Sequence, residues 1–246
     1  MAKLGIIPAR YASTRFPGKP LVDIDGKTMI QRVYEQACSA SSLDKVVIAT
    51  DDTRIIAEIE RFGGEYVVTR ADHQSGTDRC AEVAEKMTGF DVIINIQGDE
   101  PYIDPVQINL LSSCFEDSEV KLATLIKMIH ENEELFNHNI PKVIINTQGQ
   151  AIYFSRHPIP YIRNSEEENW VVAHQFYKHI GIYGYTNEAL LQITRMEPSS
   201  LEMAESLEQL RWIENGFKIQ TKITALETIA VDTPEDLEKI IRLKGN

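Results

Sequence analysis

Cysteine is scarce in this chain, and its scarcity removes two ways of organising a fold. Cys38, Cys80 and Cys114 are odd in number and far apart, and they show neither C-x-x-C nor Cys/His ligand spacing. A disulfide framework and a structural zinc site are therefore not expected, and reduced thiols in the cytoplasm are. No basic segment followed by an apolar stretch opens the sequence, and no apolar run approaches the roughly 18 residues a membrane span requires. The expectation is a soluble, cytoplasmic protein without membrane contact. Positive charge is also in short supply: 25 Lys and Arg stand against 37 Asp and Glu, a formal net charge of −12. Nucleic acid is not an expected partner, because such binding rests on neutralising phosphates with massed cations. Neither G-x-x-x-x-G-K-[ST] nor G-x-G-x-x-G occurs, and no repeat, low-complexity tract or linker divides the chain. What remains is a 246-residue chain, 43% hydrophobic, long enough to bury a sizeable core as a single α/β domain with a small projection.

The first half alternates in type. Short Val/Ile-rich runs at 4–7, 46–49, 65–68 and 92–96 read as strands buried on both faces, and 29–38, 53–62 and 78–87 read as the helices between them. This βαβ rhythm predicts a doubly wound, mostly parallel central sheet, with ligands at the carboxyl ends of its strands. A helix at 106–115 and a strand at 122–128 follow. Runs at 143–146 and 151–154 flank Thr147-Gln148-Gly149-Gln150 and predict a hairpin. Residues 158–170, with prolines and Glu166-Glu167-Glu168, read as an exposed excursion. Helices are predicted at 188–194 and 202–214, the second with Leu207, Leu210 and Ile213 on an apolar stripe and Glu208 and Gln209 on the same helix. The last helix opens at Thr233-Pro234, a hydroxyl before a first-position proline, followed by Glu235 and Asp236.

Two loops at predicted strand ends carry chemistry. I-I-P-A-R-Y-A-S-T-R-F-P-G-K-P (6–20) puts Arg10, Arg15 and Lys19 among Ser13, Thr14 and Gly18, a set suited to phosphate oxygens. N-I-Q-G-D-E-P (95–101) ends a second apolar run in an acidic pair, a position for magnesium, which takes one or two carboxylates together with phosphate oxygens. Taken singly, each has a plainer reading: a basic surface loop, and a turn closed by Gly98 and Pro101 with solvated acids. Both follow strands of the same predicted sheet, which favours one shared crevice.

Together with T-R-A-D-H-Q-S-G-T-D-R (69–79), Y-F-S-R-H-P-I-P-Y (153–161), H-I-G-I-Y-G-Y (179–185), L-E-Q-L-R (207–211) and V-D-T-P-E-D-L-E (231–238), these stretches closely resemble the 3-deoxy-manno-octulosonate cytidylyltransferase family, in order and over essentially the whole chain. The resemblance implies a Rossmann-like nucleotidyltransferase (nucleotide-diphospho-sugar transferase) fold. It also implies a magnesium-dependent enzyme that joins CMP from CTP to 3-deoxy-D-manno-octulosonate (Kdo), releasing pyrophosphate and activating Kdo for lipopolysaccharide synthesis. A homodimer is implied, with residues of about 140–185 serving pairing and sugar binding.

The resemblance further assigns residues. Ala9, Arg10, Ser13, Arg15 and Lys19 would hold the triphosphate. Arg70, Ser75, Gly76 and Thr77 would surround the cytosine. Asp99 and Asp232 would hold Mg2+, and Arg10, Lys19 and the two aspartates would be catalytic. Gln97, Arg156, His179, Tyr183, Glu208 and Gln209 would recognise the sugar, Arg156 through its carboxylate. Without the family, 231–235 is an ordinary strand-to-helix entry, 72–77 a polar loop capping a helix, and His179 and Tyr183 packing residues. His73, His130, His138, His157 and His174 receive no role. Other readings remain: a cytidylyltransferase for 8-amino-Kdo or another acidic sugar, or a nucleotide-binding module without catalysis.

Overall fold

The computed structural model describes residues 1–12 and 16–244, and it forms two compact units. The first comprises Met1–Ser112 with the stretch from Glu227 onward, the second Ser113–Leu226.

In the first unit four parallel strands lie side by side in the order Val92–Asn95, Lys3–Pro8, Lys45–Thr50, Tyr66–Val68. Successive residues of a strand face opposite sides of a sheet, so the unbroken burial of Leu4 to Ile7, Val46 to Thr50 and Val92 to Asn95 means that both faces are covered. From the first strand the chain moves outward to the second and third, then returns to place the fourth on the other side of the first. That reversal lies between Lys3–Pro8 and Val92–Asn95, the point at which an open α/β sheet offers a ligand crevice at the carboxyl ends of its strands.

The connecting helices start and stop on local signals. In Thr53–Phe62 the Asp52 carboxylate accepts from the Arg54 amide, and Gly63, at φ 76°, closes the other end. Met29–Cys38 begins at Thr28, which accepts from the Gln31 amide. Gly76–Lys86 begins with a capping box: the Ser75 hydroxyl accepts from the Asp78 amide while the Asp78 carboxylate accepts from the Ser75 amide. The short hairpin Asp23–Ile24 and Lys27–Thr28 turns on Asp25-Gly26, both at positive φ. The final helix, Pro234–Lys244, docks through Ile240 onto Ile24 and Met29, where Val231 of the preceding stretch also packs, and this packing fixes where Asp232, beside Val231, can lie.

In the second unit Leu122–Met128 pairs parallel with Ile219–Ile223 and antiparallel with Tyr177–Thr186, which in turn pairs with Lys142–Ile145. The predicted hairpin is present: Lys142–Ile145 and Ala151–Ser155 are antiparallel, with Gly149 at φ 72° in the turn. Two expectations need correction. The helix predicted at 202–214 is two helices, Ser200–Glu205 and Gln209–Glu214, broken by Ser206 in the left-handed region at φ 51°, ψ 49°. Residues 158–170 are not exposed throughout: Glu166, Glu167 and Glu168 are, but Trp170 is buried against Ile129, Leu135 and Phe176. Among the described residues no helix is long and apolar enough to cross a membrane.

Candidate active site

The crevice of the first unit is a cleft of about 230 Å³. The strand-end loops supply Ala9, Arg10, Gln97, Gly98 and Asp99, the Lys19–Leu21 turn supplies Lys19, and the entry to the last helix supplies Asp232. The loops can approach because Gly98 has no side chain: a Cβ there would stand 2.9 Å from the Pro8 carbonyl oxygen. A second tether, the Val231 amide donating to the Asp99 carbonyl at 2.9 Å, brings together residues more than 130 positions apart in sequence.

At the centre lies Lys19. Its ammonium donates to Asp99 Oδ2 at 2.7 Å and to Asp232 Oδ1 at 3.3 Å. Two carboxylates that face one cation across a polar cleft would repel each other without it, so the three groups form one electrostatic unit. The neighbouring acid behaves differently. Burial pushes the Glu100 carboxyl up to about 8, and the Asp99 charge beside it adds to the effect. Of the acidic pair, Asp99 is the one that lines the cleft.

Magnesium fits this donor set. Asp99 and Asp232 are hard oxygen donors from separate loops converging on one cation, and the described residues contain no cluster of three or more His, Cys, Asp or Glu that could hold a metal by themselves. A two-carboxylate site completed by phosphate oxygens is the arrangement magnesium uses, whereas calcium or zinc would call for a fuller protein cage.

The residues predicted around the base divide. Ser75 and Gly76 line the cleft, although the Ser75 side chain is committed to the helix cap. Thr77 is buried and Arg70 is exposed, its guanidinium 3.3 Å from Asp72, and neither lines the cleft. Ser13 and Arg15 lie outside the described residues. Two wall residues, His73 and Arg79, were not anticipated. Arg79 is buried, donating to Thr69 and lying 2.8 Å from Asp51. A signal for it existed: an arginine on the inward side of a helix among Cys80, Val83 and Ala84 must have an acidic partner.

The remaining sugar-side candidates belong to the second unit. The register of Tyr177–Thr186 shifts between Ile180 and Tyr183, and the Thr124 hydroxyl fills the bulge, 2.8 Å from the Ile182 carbonyl and 3.0 Å from His179 Nε2. Desolvation pushes His179 down to about 3, so the ring is neutral, and its centroid is 5.1 Å from that of Tyr183. Tyr183 packs edge-on against Trp212, with its own pKa driven well up by burial. Its hydroxyl and the Gln209 side-chain nitrogen are buried and, among the described residues, have no hydrogen-bond partner. Orphaned polar groups of this kind are costly and are satisfied by water or a ligand. Glu208 is the residue immediately before the Gln209–Glu214 helix. Arg156 is more occupied than expected: its guanidinium donates to the carbonyls of Glu205, Ser206 and His138 at 2.6, 3.2 and 3.2 Å.

Comparison with known proteins agrees with this geometry. Residues 4–229 match the family described as Cytidylyltransferase. The 3-deoxy-manno-octulosonate cytidylyltransferase of Parabacteroides distasonis is 54% identical over 251 aligned positions, covering 100% of this chain and 99% of that protein. Its counterpart from Cytophaga hutchinsonii is 56% identical over 239, covering 96% and 95%. A solved CMP:2-keto-3-deoxy-manno-octonic acid synthetase complexed with CTP superposes with a TM-score of 0.93 at 43% identity, covering 100% of this chain and 99% of that one. Likeness of this extent, end to end in both sequence and fold, leaves no segment outside the match: the chain belongs to the 3-deoxy-manno-octulosonate cytidylyltransferase family.

Proposed function

We propose that this protein transfers the cytidylyl group of CTP to the anomeric hydroxyl of Kdo, with Mg2+ as cofactor. The sugar oxygen attacks the α-phosphorus, the bond from that phosphorus to the bridging oxygen breaks, pyrophosphate leaves, and the hydroxyl proton is lost. The observation that carries the reading is the convergence of Lys19, Asp99 and Asp232 on the switch-point cleft.

Arg10 and Lys19 supply fixed positive charge where the triphosphate and departing pyrophosphate concentrate negative charge, Arg10 as a planar two-point donor and Lys19 as a compact point charge. Asp99 and Asp232 would hold magnesium, which when bound shields phosphate charge and polarises the phosphoryl oxygens. With a nucleotide and an acidic sugar both anionic, positioning and charge compensation carry most of the work. Tyr183 and Gln209 offer unspent hydrogen-bonding capacity suited to sugar hydroxyls. A homodimer is part of the proposal. It rests on the resemblance of residues 140–185 to the family's pairing region, and light scattering measures it directly.

The test is pyrophosphate release from CTP, Mg2+ and Kdo, run with Asp99→Asn and Asp232→Asn. Each variant keeps volume but weakens one ligand, and each is expected to lose roughly a hundredfold or more in kcat/KM, about 3 kcal/mol of transition-state stabilisation. Release that is absent in the native protein rejects the activity, and release undiminished in both variants rejects the site.

A further inference from the structure

Paired antiparallel strands advance together, one residue against one. Between Ile180, which faces Leu125, and Tyr183, which faces Thr124, the Tyr177–Thr186 strand takes three steps to its partner's one, so Gly181 and Ile182 are extra. The consequence is a change of spacing. His179 faces Ile126 and Tyr183 faces Thr124, positions two apart on the partner strand and therefore on one face of the sheet. Residues four apart along an unbroken strand would lie about 13 Å apart, yet the ring centroids of His179 and Tyr183 are 5.1 Å apart. Phe154 also meets the His179 ring edge to face, at 5.4 Å.

A bulge strips backbone groups of their ladder partners, and here one buried hydroxyl answers for them. Thr124 Oγ1 lies 2.8 Å from the Ile182 carbonyl oxygen, 3.2 Å from that of Ile180 and 3.0 Å from His179 Nε2. The carbonyls can only accept, and a hydroxyl has one proton to give. Were that proton given to His179, both carbonyl oxygens would face hydroxyl lone pairs at hydrogen-bond distance. The proton therefore goes to the carbonyls, and Nε2 must donate to Oγ1. Because the desolvated ring is neutral, a proton on Nε2 leaves Nδ1 as an acceptor.

Resting on the nucleotidyl-transfer reading above, in which His179 and Tyr183 meet the sugar, we propose that Thr124 is the positioning residue of the sugar half. Its hydroxyl clasps the two-residue bulge that sets the two rings side by side, and it selects the Nε2–H tautomer of His179. The histidine then offers an acceptor beside a phenol that can donate. A valine at this position would fill the same space and do neither.

The test uses two variants: Thr124→Val keeps the shape and removes the hydroxyl, and Thr124→Ser keeps the hydroxyl and drops the methyl. In the ligand-free protein, nitrogen NMR of the imidazole distinguishes the tautomers. The native protein and Thr124→Ser are expected to show His179 as Nε2–H, and Thr124→Val to populate both forms. In pyrophosphate release at saturating CTP, the KM for Kdo is expected to rise about tenfold in Thr124→Val, the worth of one hydrogen bond, with kcat lowered less and the KM for CTP unchanged. Thr124→Ser should return the KM for Kdo toward the native value. An Nδ1–H ring in the native protein overturns the proposal, and that measurement stands even if Thr124→Val should misfold. A KM for Kdo unmoved in Thr124→Val, an equal loss for both substrates, or a loss that Thr124→Ser does not restore also overturns it and reduces Thr124 to packing. A native protein that releases no pyrophosphate rejects the transfer reading instead, and the tautomer comparison still decides whether Thr124 sets the ring.

Discussion

At the scale of single residues, Lys19 does two things that can be separated. In the proposed reaction it stabilises the leaving pyrophosphate, and in the structure it bridges the carboxylates of Asp99 and Asp232. Lys19→Met preserves most of the aliphatic length and deletes the charge. It should lower kcat by more than it raises the KM for CTP, because Arg10 and backbone donors still hold the ground-state nucleotide. It should also lower the melting temperature of the free protein, by about 1–2 kcal/mol of stability, and magnesium should restore more of that loss than it adds to the native protein. An unchanged kcat with only a raised KM would make Lys19 a binding residue. Arg156 presents the opposite case: three backbone carbonyls already claim its guanidinium. If, as the resemblance implies, it also meets the sugar carboxylate, Arg156→Ala should weaken Kdo binding far more than CTP binding, and the loss of its backbone hydrogen bonds should destabilise the protein by about 1 kcal/mol. Calorimetry with each ligand and a thermal melt separate the two effects. Asp99 was legible from its strand-end position, but Asp232 was not, since nothing local distinguishes it from a helix entry; only the resemblance singled it out. His73 and Arg79 were hidden because a pattern of residue types does not reveal which side of a loop faces the cleft.

At the scale of elements, local chemistry made most of the fold readable. Met29–Cys38 and Thr53–Phe62 coincide with their predicted ranges because a capping residue precedes each helix and the periodic apolar face runs its full length. The break at Ser206 escaped notice because the apolar spacing of Leu207 and Leu210 continues a helical pattern while the backbone does not. Ser206 has no glycine-like residue type to announce its left-handed conformation. The two helices are bound across the break by a paired contact, Arg211 to both oxygens of Glu202 at 2.6 and 2.7 Å. Ser206 sits at φ 51°, where a β-branched side chain is strained and glycine is not. Ser206→Gly should hold or raise the melting temperature, whereas Ser206→Val should lower stability by about 1–2 kcal/mol. A Ser206→Val protein as stable as the native one would mean that the break relaxes into continuous helix, and then Glu208 and Gln209 would rotate away from their present places.

At the scale of the whole molecule, the residues proposed for the nucleotide and, Gln97 apart, those proposed for the sugar fall in different compact units. Every residue lining the nucleotide cleft lies in Met1–Ser112 or beyond Glu227, while Tyr183 and Gln209, with their unsatisfied polar atoms, lie in Ser113–Leu226. Ligand that binds a folded unit stabilises it by an amount that grows with the logarithm of free ligand over its dissociation constant, and amide hydrogen exchange reports that stabilisation segment by segment. CTP with magnesium, without sugar, should therefore slow exchange in the loops after Lys3–Pro8 and Val92–Asn95 and at the start of Gly76–Lys86. It should leave Tyr177–Thr186 and Gln209–Glu214 largely unchanged, and protection there should require Kdo. The net charge of −12 adds a condition, because the surface as a whole repels both anionic substrates and leaves attraction to the few clustered cations. Raising ionic strength should on that account weaken CTP protection only modestly. If CTP alone protects Tyr177–Thr186 as strongly as the cleft loops, the division of ligands between units is wrong, and the sugar-side residues respond to the nucleotide as well.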